Sequence, residues 1–254
     1  MKILNLLPVI DTGFWSDEMS KYICKYLLPD TKVDTWYLDR GPSSIEGEYD
    51  EVLAAAAVVL KCVQAEKAGY DAVFVDCFGD PGVRAAREAV KIPVFGGFEP
   101  IIHYALGTSD KLGIVTVLPD VLPMLNALVS KAGLERRFSK IRYINIPVLD
   151  LGNPKDLTDA LISESRKAID EDGAGTIILG CTAMVGVKEV IEEALAKAGY
   201  GVPVIEAAQA ALVMLETFVR MGLGHSRVTY MPPRDKLRTW WGGKEAVDLK
   251  EALK

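Results

Sequence analysis

The sequence predicts an α/β fold made of two similar lobes, each built on a mostly parallel sheet. Short apolar, β-branched runs alternate with longer helical patterns along the 254-residue chain, and this rhythm is typical of strands and helices that take turns. The run at residues 177–179 is apolar throughout, as in strands that helices cover on both faces. One stretch of the pattern also occurs twice, which indicates a duplicated unit.

The first half of the chain carries four predicted strands and three predicted helices. The strands are short apolar runs bounded by Gly, Pro or Asp: residues 2–7, 33–38, 72–75 and 93–95. The helices follow from apolar positions at helical spacing: residues 15–28, 49–68 and 82–90. Residues 39–48 (DRGPSSIEGE) show neither period. They are predicted as a loop that either covers a site or is an ordinary surface connection.

The second half repeats this order with four strands and four helices. The predicted strands are residues 111–118, 141–146, 176–179 and 203–205. The predicted helices are residues 120–131, 154–169, 188–198 and 207–221. Asp120 and Asn153 stand where polar side chains commonly cap a helix N-terminus.

The internal repeat places two cysteines at one structural position. The stretch GYDAVFVDCFGDPG (residues 69–82) aligns with GAGTIILGCTAMVG (residues 173–186), so Cys77 aligns with Cys181. Further on, IPVFGGFEP aligns with VPVIEAAQA. We therefore predict two flavodoxin-like lobes related by pseudo-two-fold symmetry, residues 1–105 and 106–220. Residues 221–254 are predicted as a C-terminal extension that packs back on the body, with Trp240 and Trp241 as its aromatic anchor.

Composition narrows the class of partner. The chain has 29 Lys and Arg against 35 Asp and Glu, a net charge of −6, and it lacks the basic clusters of nucleic-acid or anionic-membrane surfaces. A small-molecule partner is therefore expected. The opening MKILNLLPVID is too short and polar for a signal peptide, and no segment reaches membrane-spanning length, so a cytoplasmic protein is expected. The four cysteines lie too far apart for C-x-x-C pairs and are predicted to be reduced thiols without a metal site.

The paired thiols point to proton transfer. Ligands of open α/β sheets bind beyond the carboxyl ends of the strands, so Cys77 and Cys181 are expected to face one cleft between the lobes. Inversion of a stereocentre with an acidic C–H needs one group to remove a proton and another to deliver one on the opposite face. A thiol, with an ordinary pKa of about 8.5, can serve as either. A helix start at Asp80-Pro81-Gly82, with Pro81 in the first turn and Asp80 as the expected cap, is predicted to favour the thiolate.

Other residues near the strand ends are candidate substrate contacts. Backbone N–H groups directly after each thiol are candidate donors to an enolate oxygen: Phe78, Gly79, Thr182 and Ala183. Asp11 follows the first predicted strand and is a further candidate, although turn formation alone would also explain it. Thr116, at the corresponding place in the second lobe, is another. Packing is the expected role of Cys24 and Cys62.

At these residues the sequence resembles a known family. The motifs DCFGDPG and LGCTAM resemble the two cysteine motifs of the hydantoin and allantoin racemases, within the aspartate/glutamate racemase superfamily, and the likeness extends over nearly the whole chain. The resemblance implies a cofactor-independent racemase that forms homo-oligomers. It also implies that Cys77 and Cys181 are the acid/base pair acting on a 5-substituted hydantoin or allantoin-like ring.

Two departures from the family pattern bear on the substrate. Leu7-Pro8-Val9 stands where hydantoin racemases usually have Asn-Pro-Asn, and Ala183 stands where amino-acid racemases commonly have His. The first removes polar contacts expected in a hydantoin racemase. The second makes a charged amino acid a less supported substrate than a neutral or weakly anionic ring, which needs fewer charged anchors. The alternatives are an aspartate/glutamate-type amino-acid racemase, a related decarboxylase or isomerase, and a two-lobed binding protein without chemistry.

Overall fold

The computed structural model describes residues 1–236 and contains two four-stranded parallel sheets. Its strands are β1 (Lys2–Leu7), β2 (Lys32–Tyr37), β3 (Ala72–Val75), β4 (Val94–Phe95), β5 (Leu112–Thr116), β6 (Arg142–Tyr143), β7 (Thr176–Leu179) and β8 (Val204–Glu206). The strand order is β2-β1-β3-β4 in the first sheet and β6-β5-β7-β8 in the second. The predicted fold class, two α/β lobes with parallel sheets and one shared topology, is confirmed.

Eight helices connect these strands within residues 1–236. They are α1 (Asp17–Ile23), α2 (Glu48–Lys67), α3 (Val83–Ala89), α4 (Phe98–Leu106), α5 (Leu122–Lys131), α6 (Pro154–Asp170), α7 (Lys188–Lys197) and α8 (Ala207–Arg220). Helix α4 was absent from the predicted set. Asn153 caps α6 as predicted, by accepting from the backbone N–H groups of Lys155 and Asp156. Asp120 does not cap α5, because it lies within a 3-10 turn (Pro119–Val121) that precedes that helix.

The pairing of strands shows that the two sheets are equivalent. Ile3 of β1 lies opposite Ala72 of β3, and Leu112 of β5 lies opposite Thr176 of β7. Cys77 and Cys181 each lie two residues beyond the end of the strand before them, β3 and β7. The repeat found in the sequence is therefore a repeat of structure, and both thiols stand at the carboxyl ends of central strands.

The two lobes exchange a helix. Helix α4 belongs to the first half of the chain, yet Ile101 and Ile102 are buried in the core around the second sheet. Helix α8 belongs to the second half, yet Leu212 and Leu215 pack with Ile3 and other residues of the first sheet. The predicted boundary between residues 105 and 106 therefore divides the chain but not the two cores, because each core also contains a helix from the other half. It stays a prediction.

The described part of the C-terminal extension contacts the first lobe. The Nε2 atom of His225 accepts from the backbone N–H of Val94 at 2.9 Å. The Arg227 guanidinium donates to the carbonyl oxygens of Arg87 at 2.7 Å and Val90 at 3.0 Å. Trp240 and Trp241 lie outside the described residues. No helix within residues 1–236 has the length and apolar character needed to cross a membrane.

Candidate active site

A cavity between the two sheets brings the two thiols together. Its empty space is about 770 Å³, counting the open mouth, and both Cys77 and Cys181 line it. Both side chains are partly buried, and neither forms a disulfide. The cavity is the cleft that the repeat predicts. It lies beyond the carboxyl ends of the strands, where open α/β sheets bind ligands.

The surroundings of the thiols favour the protonated form. Burial raises the pKa of Cys181 to about 12, and the charges of Asp76 and Glu46 also raise it. Burial raises the pKa of Cys77 well above its usual range, with further contributions from the charges of Cys181 and Asp80. The expectation that a helix start favours the thiolate is therefore wrong for this resting structure, since removal from water outweighs nearby backbone dipoles.

The role expected of Asp80 at the start of α3 also needs correction. Gly82 precedes α3 and no side chain caps that helix. The Asp80 carboxylate instead accepts from the backbone N–H of Phe98 at 3.0 Å, the first residue of α4. Asp80 thus ties the loop after Cys77 to the helix that enters the second core.

The predicted backbone donors lie around the thiols. The residues after each thiol all line the cavity: Phe78, Gly79, Thr182 and Ala183. The N–H of Gly79 donates to the Cys77 sulfur at 3.4 Å, so in this state it is bound to the sulfur and is not free to bind an enolate oxygen. That bond opposes the rise in the pKa of Cys77, although burial outweighs it.

Thr116 and Asp11 end up in different places. Thr116 lines the cavity, and its hydroxyl donates to the Gly180 carbonyl at 3.0 Å, which holds the end of β5 against the loop of the second thiol. Asp11 is exposed and its carboxylate accepts from the N–H of Gly13 at 2.9 Å. The cavity wall contains its neighbour Thr12 instead. Asp11 therefore stabilises a turn, which was the alternative explanation for it.

Much of the remaining wall is apolar, and two loops cover it. Six side chains from both lobes form this part of the wall: Val9, Ile10, Phe14, Trp15, Ile45 and Val148. Within residues 39–48, Ser43 and Ser44 also face the cavity, so this loop covers the site, as one of its two readings proposed. Glu46 in the same loop accepts from the N–H of Val148 at 2.8 Å. This hydrogen bond joins the covering loop of the first lobe to the second lobe.

Comparisons with known proteins agree with this architecture. A family model described as Asp/Glu/Hydantoin racemase matches residues 17–215. The chain belongs to that family. The hydantoin racemase of Rhizobium meliloti is 38% identical over 197 residues, 77% of this chain and 80% of that protein. The hydantoin racemase of Pseudomonas sp. strain NS671 is 36% identical over 209 residues, 82% of each chain.

A solved structure gives the same result in three dimensions. Allantoin racemase from Klebsiella pneumoniae has a TM-score of 0.86 and 29% identity to this chain, and the match covers 95% of this chain and 97% of that one. The protein is accordingly a racemase, an enzyme of the isomerase class.

The charged groups in the wall of this racemase are few. Among residues 1–236, no lysine, arginine or histidine lines the cavity, and Asp76 is its one carboxylate. Sequence reasoning missed Asp76, although the stretch VFVDC carried a signal, a charged residue directly after a buried apolar run. Residues 1–236 also contain no group of three or more His, Cys, Asp or Glu side chains placed to hold a metal ion.

Proposed function

We propose that the protein racemises a neutral 5-substituted hydantoin or allantoin-like ring without a cofactor, by proton transfer between Cys77 and Cys181. The observation that carries the proposal is the pair of thiols at equivalent strand ends, both lining one cavity. A stereocentre between the thiols would meet one sulfur on each face, which is the requirement for inversion with two acid/base groups.

The raised pKa values suit such a pair. A thiol that holds its proton tightly is a stronger base once that proton is gone, and a carbon acid needs a strong base. In each turnover one sulfur, as thiolate, takes the C–H proton, and the other, as thiol, donates a proton to the opposite face of the enolate. The carbon changes configuration and the two sulfurs exchange protonation states.

The lining favours a neutral ring over the alternatives. A charged amino acid would enter a site where, among residues 1–236, no cationic side chain could pair with its carboxylate. A decarboxylase of the related kind would leave one of the two thiols without a role. The apolar wall around Trp15 and Val148 suits an apolar ring substituent, and the similar proteins include named hydantoin and allantoin racemases.

The test uses enzyme dialysed against chelator, with no pyridoxal phosphate added. Each enantiomer of 5-benzylhydantoin and of allantoin is incubated in deuterated water and followed by NMR and polarimetry. The parent should racemise at least one of these substrates. Cys77→Ser and Cys181→Ser should abolish inversion, because a serine hydroxyl is far less acidic than a thiol. Each should still exchange the stereocentre hydrogen of one enantiomer, and the two variants should act on opposite enantiomers.

Cys24→Ser is the matched control, since Cys24 is a partly buried thiol outside the cavity, and it should racemise like the parent. The two-thiol proposal is wrong if both site variants exchange the same enantiomer, or if either inverts substrate at near the parent rate. A requirement for added metal or pyridoxal phosphate would also contradict it.

A further inference from the structure

We propose that Gly97 is a positioning residue that sets the spacing between the loops of the two thiols. The inference rests on the proposed two-thiol function and adds to it a residue that lies outside the cavity wall. Gly97 follows β4 of the first sheet and directly precedes α4, which is buried in the second core. It therefore stands where the chain crosses from one lobe to the other.

Gly97 contacts the loops of both thiols. Its N–H donates to the Cys77 carbonyl at 3.0 Å. A Cβ built on Gly97 would lie 2.9 Å from the Cγ2 methyl of Thr182 and 3.1 Å from both the Cys77 carbonyl oxygen and the Cα of Phe78. Carbon atoms in ordinary contact are about 3.5 Å apart or more. Because Thr182 directly follows Cys181, the two thiol loops leave no space for a side chain at residue 97.

The close contact, and not the backbone conformation, requires glycine here. Gly97 has a φ of −85° and a ψ of −31°, a right-handed helical conformation that alanine also adopts. In the sequence repeat Gly97 corresponds to Ala207, a buried residue at the start of α8, the helix that crosses in the opposite direction. A crossing of this kind therefore accommodates a methyl group, and at Gly97 the methyl of Thr182 already fills that space.

The Cys77 loop is fastened to the start of α4. Asp80 on this loop accepts from the N–H of Phe98 at 3.0 Å. The rings of Phe78 and Phe98 pack edge to face with their centroids 5.7 Å apart. Thr182 is only 7% exposed, and its β-branched side chain has few rotamers, so its methyl group cannot turn aside. An added methyl group at residue 97 should therefore push the Cys181 loop away from the Cys77 loop.

Such a shift affects inversion more than proton removal. Thr182 would move by roughly half an ångström to restore ordinary contact, and a displacement of about 1 Å costs about a hundredfold in rate. One thiolate can still break the C–H bond, but delivery from the other sulfur to the opposite face becomes slow. In deuterated water the first sulfur then exchanges its new S–H proton for solvent deuterium. It returns a deuteron to the same face, so a C–D bond forms with the configuration retained.

The experiment measures both outcomes in Gly97→Ala. Each enantiomer of 5-benzylhydantoin is incubated in deuterated water to low conversion, and uncatalysed rates are subtracted. Chiral chromatography with mass spectrometry gives the rate of inversion and the rate of deuterium uptake into the recovered starting enantiomer. We expect inversion to fall about tenfold or more and the ratio of retained exchange to inversion to rise several-fold. A loss of folded protein would lower both rates equally and leave the ratio unchanged.

Matched variants test the contact itself. Thr182→Ser removes the Cγ2 methyl, and in that background Gly97→Ala should change the ratio much less than in the parent. Thr182→Val keeps a methyl group at the contact, so there Gly97→Ala should keep its effect. Gly175→Ala is the control for overpacking, because its Cβ would lie 2.9 Å from the Cβ of Ser109, away from the cavity wall. It should leave the ratio at the parent value.

A second readout needs no substrate. Dibromobimane can bridge two neighbouring thiols, and mass spectrometry gives the fraction of protein bridged between Cys77 and Cys181 relative to protein alkylated at one of them. This fraction should be lower in Gly97→Ala than in the parent. Failure of the proposed function shows separately, as a parent that does not racemise, and bridging alone then decides on the spacing. The positioning role is ruled out if Gly97→Ala leaves the exchange ratio or the bridged fraction at the parent value, or if Thr182→Ser gives no relief.

Discussion

At the scale of single residues, the buried carboxyl group of Asp76 lowers the stability of the fold at neutral pH. Burial raises its pKa in the folded protein to about 7, against about 3.9 in an unfolded chain. Between these values the native state binds a proton that the unfolded state does not. The contribution of Asp76 to the free energy of unfolding is therefore most favourable below the unfolded pKa. It falls by up to about 1.4 kcal/mol per pH unit as the pH rises to 7.

Replacement of Asp76 by Asn should remove this dependence. The free energy of unfolding of Asp76→Asn minus that of the parent should increase from pH 4.5 to 7.5 and stay constant above it, as measured by urea denaturation. Asp80, whose pKa burial also raises to about 7, is present in both proteins and cancels. The same change at exposed Asp11 serves as control and should give no such trend. Parallel stability curves for the parent and Asp76→Asn would contradict the assignment.

At the scale of elements, each lobe uses a carboxylate to join the loop after its thiol to the end of the next strand. In the first lobe the carboxylate lies on the loop, and in the second lobe it lies at the strand end. In the first lobe Asp80 lies on the loop and reaches the start of α4. In the second lobe Glu206 lies at the end of β8, and one of its oxygens accepts from the N–H groups of the three residues just before and at the start of α7: Gly186, Val187 and Lys188. In the sequence alignment Glu206 corresponds to Gly96. A Cβ at Gly96 would lie 2.0 Å from an oxygen of Asp80. The first lobe therefore has glycine where the second has Glu206, and this leaves space for the Asp80 carboxylate.

This arrangement predicts that Gly96 tolerates no side chain while Asp80 is present. Gly96→Ala should lower the free energy of unfolding by about 2 kcal/mol or more, as overpacking of a close contact does. Asp80→Gly removes the obstructing carboxylate and fits the φ of 56° at that position. In that background Gly96→Ala should therefore have a much smaller effect. Gly201→Ala is the control, since a Cβ there meets nothing within 4 Å. Additive effects of the two changes in a double-mutant cycle would be inconsistent with the contact.

The same junctions show where sequence reasoning succeeds and where it ends. Strands β3 and β7 could be predicted, because each is a continuous apolar run bounded by turn residues, and the aligned cysteines followed from the repeat. Helix α4 could not, since it has nine residues and its first N–H is held by Asp80 from a distant loop. The protonation of the thiols depends on burial, which local sequence does not give. Asp76 became interpretable only when the structure showed that it is buried in the cavity wall.

At the scale of the whole molecule, the exchange of α4 and α8 joins the two lobes into one folding unit. Each core is completed by a helix from the other half of the chain. The contact between α1 and α7 adds to this, because the Tyr22 hydroxyl and the Lys25 ammonium donate to Glu189 at 2.9 Å and 2.8 Å. Neither lobe can lose its core without uncovering apolar surface in the other.

The protein should therefore unfold in a single cooperative transition despite its two sheets. Ile101 lies on α4 and is fully buried in the second core. Ile101→Ala should lower the free energy of unfolding by about 2 to 5 kcal/mol, and hydrogen exchange of the β1 amides in the first sheet should speed up by a matching amount. Val190→Ala, at a half-exposed site on α7, should leave exchange in β1 unchanged. Residues 1–105 alone should show no cooperative thermal transition by circular dichroism, because Ile101 and Ile102 would lose their core and Ile3 would lose α8. Separate transitions for the two sheets, or unchanged β1 exchange in Ile101→Ala, would show instead that the lobes fold independently and that the exchanged helices only dock on them.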